Sequence, residues 1–115
     1  MRDIVFWLGA ALVVFVVVRF ALAARNRIAG PAAREKVAAG ALLLDVRTEA
    51  EFRGGAIPGA KNIPVQSLAG RLAELERTRP VVVYCASGIR SASAASLLRR
   101  SGFAEVHDLG PAAAW

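Results

Sequence analysis

The chain has 115 residues, with 15 Lys and Arg against 9 Asp and Glu, for a formal charge of +6. That length holds one small domain. The single cysteine rules out an intrachain disulfide. Neither zinc-type Cys/His spacing nor a Walker-type glycine loop occurs, and no helix-turn-helix or aromatic-interleaved basic stripe points to nucleic acid.

The first segment is the most apolar. Ile4 to Val18 carries no charge, and the run resumes after Arg19 as far as Ala24. As a helix, the uncharged part would reach about 22 Å and Ile4 to Ala24 about 31 Å, against roughly 30 Å for a hydrocarbon core. Arg19 near one end can snorkel and Trp7 near the other suits an interface, so residues 1–24 are expected to form a transmembrane anchor in contact with lipid. A signal peptide cut after Ala21-Leu22-Ala23 is the competing reading. Arg19, Arg25, Arg27, Arg34 and Lys36 crowd the downstream flank. Residues 1–36 therefore hold a net +4 and the rest only +2, which favours a single-pass protein with its domain in the cytoplasm; a periplasmic or secreted product follows if the segment is cleaved.

Residues 25–30 read as a linker with a brief strand at Ile28, and residues 31–115 as the domain. Pro31 suits the first turn of a helix over 32–39, which Gly40 stops. Ala41 to Val46 is a continuous apolar run closed by a charge, the pattern of a buried parallel strand. Thr48 and Glu51 form a capping box for a short helix that Gly54-Gly55 ends. Ile57-Pro58-Gly59-Ala60 is a turn, and Lys61 to Ile63 a short strand. Leu68, Leu72 and Leu75 predict an amphipathic helix over 68–77, capped by Ser67. A strand over 81–84, a helix over 91–100 and a last strand over 105–109 follow. Strands alternating with helices give an α/β class with a mainly parallel sheet. In such sheets ligands lie at the carboxyl ends of strands, where Asp45-Val46-Arg47 and Cys85 both fall.

The only cysteine, Cys85, ends the run Val81-Val82-Val83-Tyr84 and opens Ala86-Ser87-Gly88-Ile89-Arg90-Ser91. A strand, a loop of small residues and a helix aim backbone N–H groups at one point. A thiol there has its anion stabilised, and Arg90 adds a full positive charge. That makes Cys85 a nucleophile or a carrier of an anionic group. The plain alternative is a small hydrophobe at a strand end.

These segments resemble a family. Leu43-Leu44-Asp45-Val46-Arg47-Thr48, Glu51-Phe52 and Gly55-Ala56-Ile57-Pro58-Gly59-Ala60-Lys61-Asn62-Ile63-Pro64 look like the framework of a single-domain rhodanese. Val82 to Ser91 resembles its active-site loop, and Gly102-Phe103 with Gly110 to Trp115 its C-terminal signature. The resemblance runs from about Ile28 to Trp115. It implies a rhodanese-like fold and a sulfurtransferase needing no metal or organic cofactor. Cys85 would take the outer sulfur of thiosulfate as a persulfide and pass it to cyanide or a thiol. The N–H groups of Ala86 through Ser91 would cradle the persulfide, and Arg90 would orient the anionic donor. Four residues, Ala86 to Ile89, separate Cys85 from Arg90. Phosphatases and arsenate reductases on this scaffold have a longer loop, so the tighter ring here suits one sulfur atom. Asp45 and Glu49 stay open as general acids for that disfavoured phosphatase reading. A membrane-tethered persulfide carrier with little small-molecule turnover is the alternative from another class.

The chain departs from the family pattern at Ala56, where a His is usual, at Pro111, in place of a second Gly, and at its short C-terminal end, where Trp115 is expected to pack loosely. His107 reads as structural and Asp45–Arg47 as an ion pair beneath the rim. Arg71, Arg77, Arg79, Arg99 and Arg100 read as solvated helix faces.

Overall fold

The computed structural model describes residues 2–115, with positions 20 and 23–25 described by backbone alone. Strands β1 (Leu42–Asp45), β2 (Lys61–Asn62), β3 (Val81–Cys85) and β4 (Val106–Pro111) form a parallel sheet in the order β2-β1-β3-β4. An isolated parallel bridge between Arg27 and Asp108 extends it past β4, where the linker strand was expected. Helices α1 (Arg2–Arg25), α2 (Gly30–Ala38), α3 (Glu49–Arg53), α4 (Val65–Leu68) and α5 (Ile89–Arg100) complete the fold, with 3₁₀ segments at Ala69–Glu74 and Ala112–Ala114.

The sheet is buried on both faces, which is why β1 and β3 read as unbroken apolar runs. Side chains alternate between the faces. Val81, Val83 and Cys85 pack with Leu44, Val46 and the Ala94, Ala95 and Leu98 face of α5. Val82 and Tyr84 pack with Leu43, Leu109 and Ala33 of α2. Alternation therefore decides that Cys85 faces α5. Trp115 packs against the second cluster and its carbonyl accepts from Arg34, so the C-terminal end is tied down rather than loose.

Three expected elements differ. The helix expected over 68–77 is α4 followed by a 3₁₀ segment, with Pro64 rather than Ser67 at the N-cap position. Leu72 and Leu75 are three apart, a spacing that suits three residues per turn, and Gly70 weakens an α-helix there. Leu68 and Leu75 still reach the core. The last strand runs through Gly110 and Pro111 instead of stopping before them. The Asp108 carboxylate accepts the Gly110 N–H at 2.8 Å, the register shifts between Val83 and Tyr84, and pairing continues to Cys85 and Pro111. Gly110 has φ +82°, which a side chain would strain.

The third difference is the membrane-spanning helix expected over Ile4–Ala24. Among the described residues no helix is long and apolar enough to cross a membrane. The stretch of α1 with every side chain described, 2–19, carries Arg2, Asp3 and Arg19, and its uncharged part is the run Ile4–Val18. Positions 20, 23 and 24 of the expected span lie outside the described side chains. What the described part shows is a helix with its large apolar side chains turned outward: Phe6, Trp7 and Leu8 are 70%, 69% and 66% exposed.

Candidate active site

β3 delivers Cys85 to the carboxyl edge of the sheet, and α5 begins four residues later. Cys85 Sγ accepts the Gly88 N–H at 3.0 Å and the Ser91 N–H at 3.4 Å. The Ser91 hydroxyl donates to the Gly88 carbonyl at 3.1 Å, which clamps the loop. Gly88 has φ +99°, the left-handed conformation that turns its N–H inward, and that conformation favours glycine. The thiol thus sits at the N-terminal end of a 12-residue helix, where backbone dipoles favour an anion. Cys85 itself has no exposed surface, whereas Ala86, Ser87 and Ile89 are exposed. A donor reaches Sγ only when side chains at the mouth move.

Arg90 does not point into the loop as a lone cation. Its two terminal nitrogens donate to the two Glu51 carboxylate oxygens at 2.7 and 3.0 Å. Glu51, the third residue of α3, closes the expected capping box: its carboxylate accepts the Thr48 N–H at 3.1 Å while Thr48 Oγ1 accepts the Glu51 N–H at 3.2 Å. The Arg90 guanidinium, with the Thr48 N–H, pulls the Glu51 carboxyl down to about 2. The charge expected to orient donors is therefore matched by a carboxylate at the mouth. The capping box was readable, but a side chain that caps one helix and grips another 39 residues on was not.

The rim expectation at β1 holds. Asp45 is fully buried, and its carboxylate accepts from Arg47 Nη2 at 2.7 Å and from the Arg47 N–H at 2.9 Å. Arg47 also donates to the Gly55 carbonyl at 2.7 Å and lies over the Tyr84 ring. Asn62 Nδ2 donates to the carbonyls of Asp45 and Arg47, both at 3.0 Å. The Tyr84 hydroxyl accepts the Ile57 N–H at 3.2 Å, which fixes the Ile57-Pro58-Gly59-Ala60 turn, and burial pushes its phenol up to about 12. With these bonds made, the Asp45 carboxylate is committed to Arg47 beneath the rim. Ala56 is exposed beside this turn.

The remaining single residues are structural. His107 Nε2 lies 2.8 Å from Glu105, which also pairs with Lys36 at 3.1 Å. The hydrogen bonds from His107 and Lys36 hold the Glu105 carboxyl below its ordinary value. Of the arginines expected to be solvated, Arg77, Arg79, Arg99 and Arg100 are exposed, and several also act as straps. Arg77 donates to the Ser101 carbonyl, Arg79 to that of Gly40 and Arg99 to that of Val106, while Arg71 pairs with Glu74. Among the described residues no cluster of His, Cys, Asp or Glu is placed to hold a metal ion.

The family model described as the Rhodanese-like domain matches residues 29–110. The chain belongs to the rhodanese family. It is 37% identical over 109 residues to the uncharacterized protein YqhL of Bacillus subtilis, covering 92% of this chain and 85% of that protein. It is 38% identical over 74 residues to the thiosulfate sulfurtransferase GlpE of Shewanella oneidensis, covering 64% and 73%. Among solved structures, the human single-domain sulfurtransferase TSTD1 superposes with a TM-score of 0.65 at 30% identity, covering 78% of this chain and 91% of that one. Sulfurtransferases are thus among the relatives of this rhodanese-like domain.

Proposed function

We propose that the protein is a sulfurtransferase in which Cys85 carries sulfane sulfur between a small anionic donor and a thiophilic acceptor. The observation that carries this reading is the pair of N–H groups, from Gly88 and Ser91, converging on Sγ at the start of α5. The Cys85 thiolate attacks the outer sulfur of thiosulfate. The S–S bond of the donor breaks and sulfite leaves with its electron pair. The product is a Cys85 persulfide, whose negative outer sulfur the loop N–H groups of Ala86 to Ser91 stabilise with fixed dipoles. Cyanide or a thiolate then attacks that outer sulfur, and the Cys85 thiolate is regenerated. Arg90 draws the anionic donor to the mouth once its hold on Glu51 loosens. No metal or organic cofactor enters either step.

The test is intact-protein mass spectrometry after incubation with thiosulfate and then cyanide. The reading expects a gain of one sulfur atom on Cys85, lost again as thiocyanate appears. No gain in the folded protein overturns it. Ile89, an apolar residue 64% exposed beside the loop, favours the second reading, a carrier that hands its sulfur to a protein. A persulfide that forms but resists cyanide would select that reading.

The same reading seats α1 in lipid, with the domain on the cytoplasmic side. Its support is the outward-facing apolar surface of α1 and the basic flank of Arg19, Arg27, Arg34 and Lys36. In vesicle flotation the full chain should float with anionic vesicles, and a variant lacking residues 1–25 should not. Equal partition of the two would remove the anchor.

A further inference from the structure

Arg27 reaches the back of the Cys85 loop from the edge of the sheet. Its backbone bridges to Asp108, and its neighbour Ile28 packs in the α2-side cluster. Alternation then turns the Arg27 side chain to the α5 side. Two glycines open the way. A methyl built on Gly110 would lie 2.6 Å from Arg27 Nε, and one built on Gly88 would collide with Nη2. The guanidinium therefore lies across both glycines, against the residue whose N–H donates to Sγ. The 3.0 Å bond from Gly88 to Sγ and ordinary covalent geometry place that cation within about 8 Å of the thiol.

Arg27 differs from the other arginines near the site. Arg47 is neutralised by Asp45 and Arg90 by Glu51. Among the described residues the Arg27 guanidinium has no ion-pair partner, and its buried Nε has no hydrogen-bond acceptor. A buried donor left unmatched is costly and calls for a reason. A groove between α1 and α5 is lined by Arg27, Gly88 and Ile89, while Cys85 lies buried behind the loop. Arg19, Arg99, Arg100 and Asp108 also line that groove. The buried Asp108 carboxylate accepts the Gly110 N–H and, among the described residues, forms no ion pair with Arg27.

We propose that Arg27 is a positioning residue for the sulfur site: laid across Gly110 and Gly88, it fixes the Gly88 N–H on Sγ and supplies beside the loop a positive charge outside any ion pair, which Arg90, held by Glu51, does not. The inference rests on the sulfurtransferase reading for its purpose, but its effect is on the thiol itself. A cation about 8 Å away lies inside the screening length of roughly 10 Å at 0.1 M salt and attracts an anionic electrophile or negative charge at the sulfur.

The test is the rate of Cys85 alkylation by iodoacetamide as a function of pH, on the full chain in detergent. Arg27→Met keeps the stem and removes the charge, and Arg27→Lys keeps the charge. The alkylation rate at neutral pH should fall several-fold in Arg27→Met and return most of the way in Arg27→Lys. Arg27→Gln is the second neutral variant should Arg27→Met not fold. A rate profile unchanged in the neutral variants, or lowered as far in Arg27→Lys, overturns the proposal and leaves Arg27 a packing strut. Alkylation needs no sulfur donor. Failure to load sulfur from thiosulfate would thus count against the enzyme reading alone, and an unmoved alkylation rate against Arg27 alone.

Discussion

The ends of β1 and β3 lie side by side on one rim and treat charge in opposite ways. At β1 the buried Asp45 carboxylate is met in full by Arg47, and the neighbouring carbonyls are tied by Asn62. At β3 the Sγ of Cys85 meets only neutral backbone N–H groups. A matched charge holds geometry and offers nothing to a substrate. A sulfur that accepts from backbone dipoles and sits in no ion pair can gain a negative outer atom without displacing a resident counter-ion. The rim is thus divided into a half that keeps the fold and a half left open for chemistry.

That division is broken or sharpened by substituting each half in turn. Asp45→Asn leaves the Arg47 guanidinium, only 12% exposed, without its counter-charge, and loss of one partner of a buried pair costs about 3 kcal/mol. Urea unfolding should show that loss, while the fraction still folded loads sulfur from thiosulfate as before. Cys85→Ser should do the reverse. The hydroxyl can accept the same two N–H groups, so stability should change by about 1 kcal/mol, yet no sulfur is loaded because an alkoxide forms no persulfide. If Asp45→Asn lost loading without losing stability, or Cys85→Ser retained transfer, the two halves would not be separable as described.

How much of this was legible in the sequence follows from the range of each interaction. The cysteine loop was readable because strand, loop and helix start are contiguous, and the Asp45–Arg47 pair because the partners are two residues apart. β1 and β3 announced themselves through apolar runs that only burial on both faces sustains. The stretch after Pro64 reads as one α-helix because leucines at 68, 72 and 75 fit an α period, and only the step from 72 to 75 fits the 3₁₀ period that the chain adopts. β4 was cut short because Gly110-Pro111 looks like punctuation until the Asp108 side chain takes up the Gly110 N–H. The Glu51–Arg90 pair and the reach of Arg27 to Gly88 join charged residues far apart in sequence. No local pattern specifies which of many arginines will arrive there.

Glu51 crosses the division, since it caps α3 next to β1 and holds Arg90 next to Cys85. Its substitution is the subtlest test. Its carboxyl is lowered from an ordinary 4.5 to about 2 in the folded chain. A group lowered on folding contributes stability that is complete above its unfolded value and is lost as pH falls through the folded one. The advantage of the native chain over Glu51→Gln should therefore be full above about pH 4.5 and shrink as pH is taken down to about 2. Stability that differs by the same amount throughout that window would mean that the carboxylate is not held by Arg90. At neutral pH the same variant removes a negative charge from the mouth and frees Arg90. The KM for dianionic thiosulfate should fall about two- to three-fold at low salt, the size expected of an exposed pair, and the effect should fade as salt is raised. A rise in KM instead would show that Arg90 works only while Glu51 holds it in place, and the mouth would then belong to the half that keeps geometry.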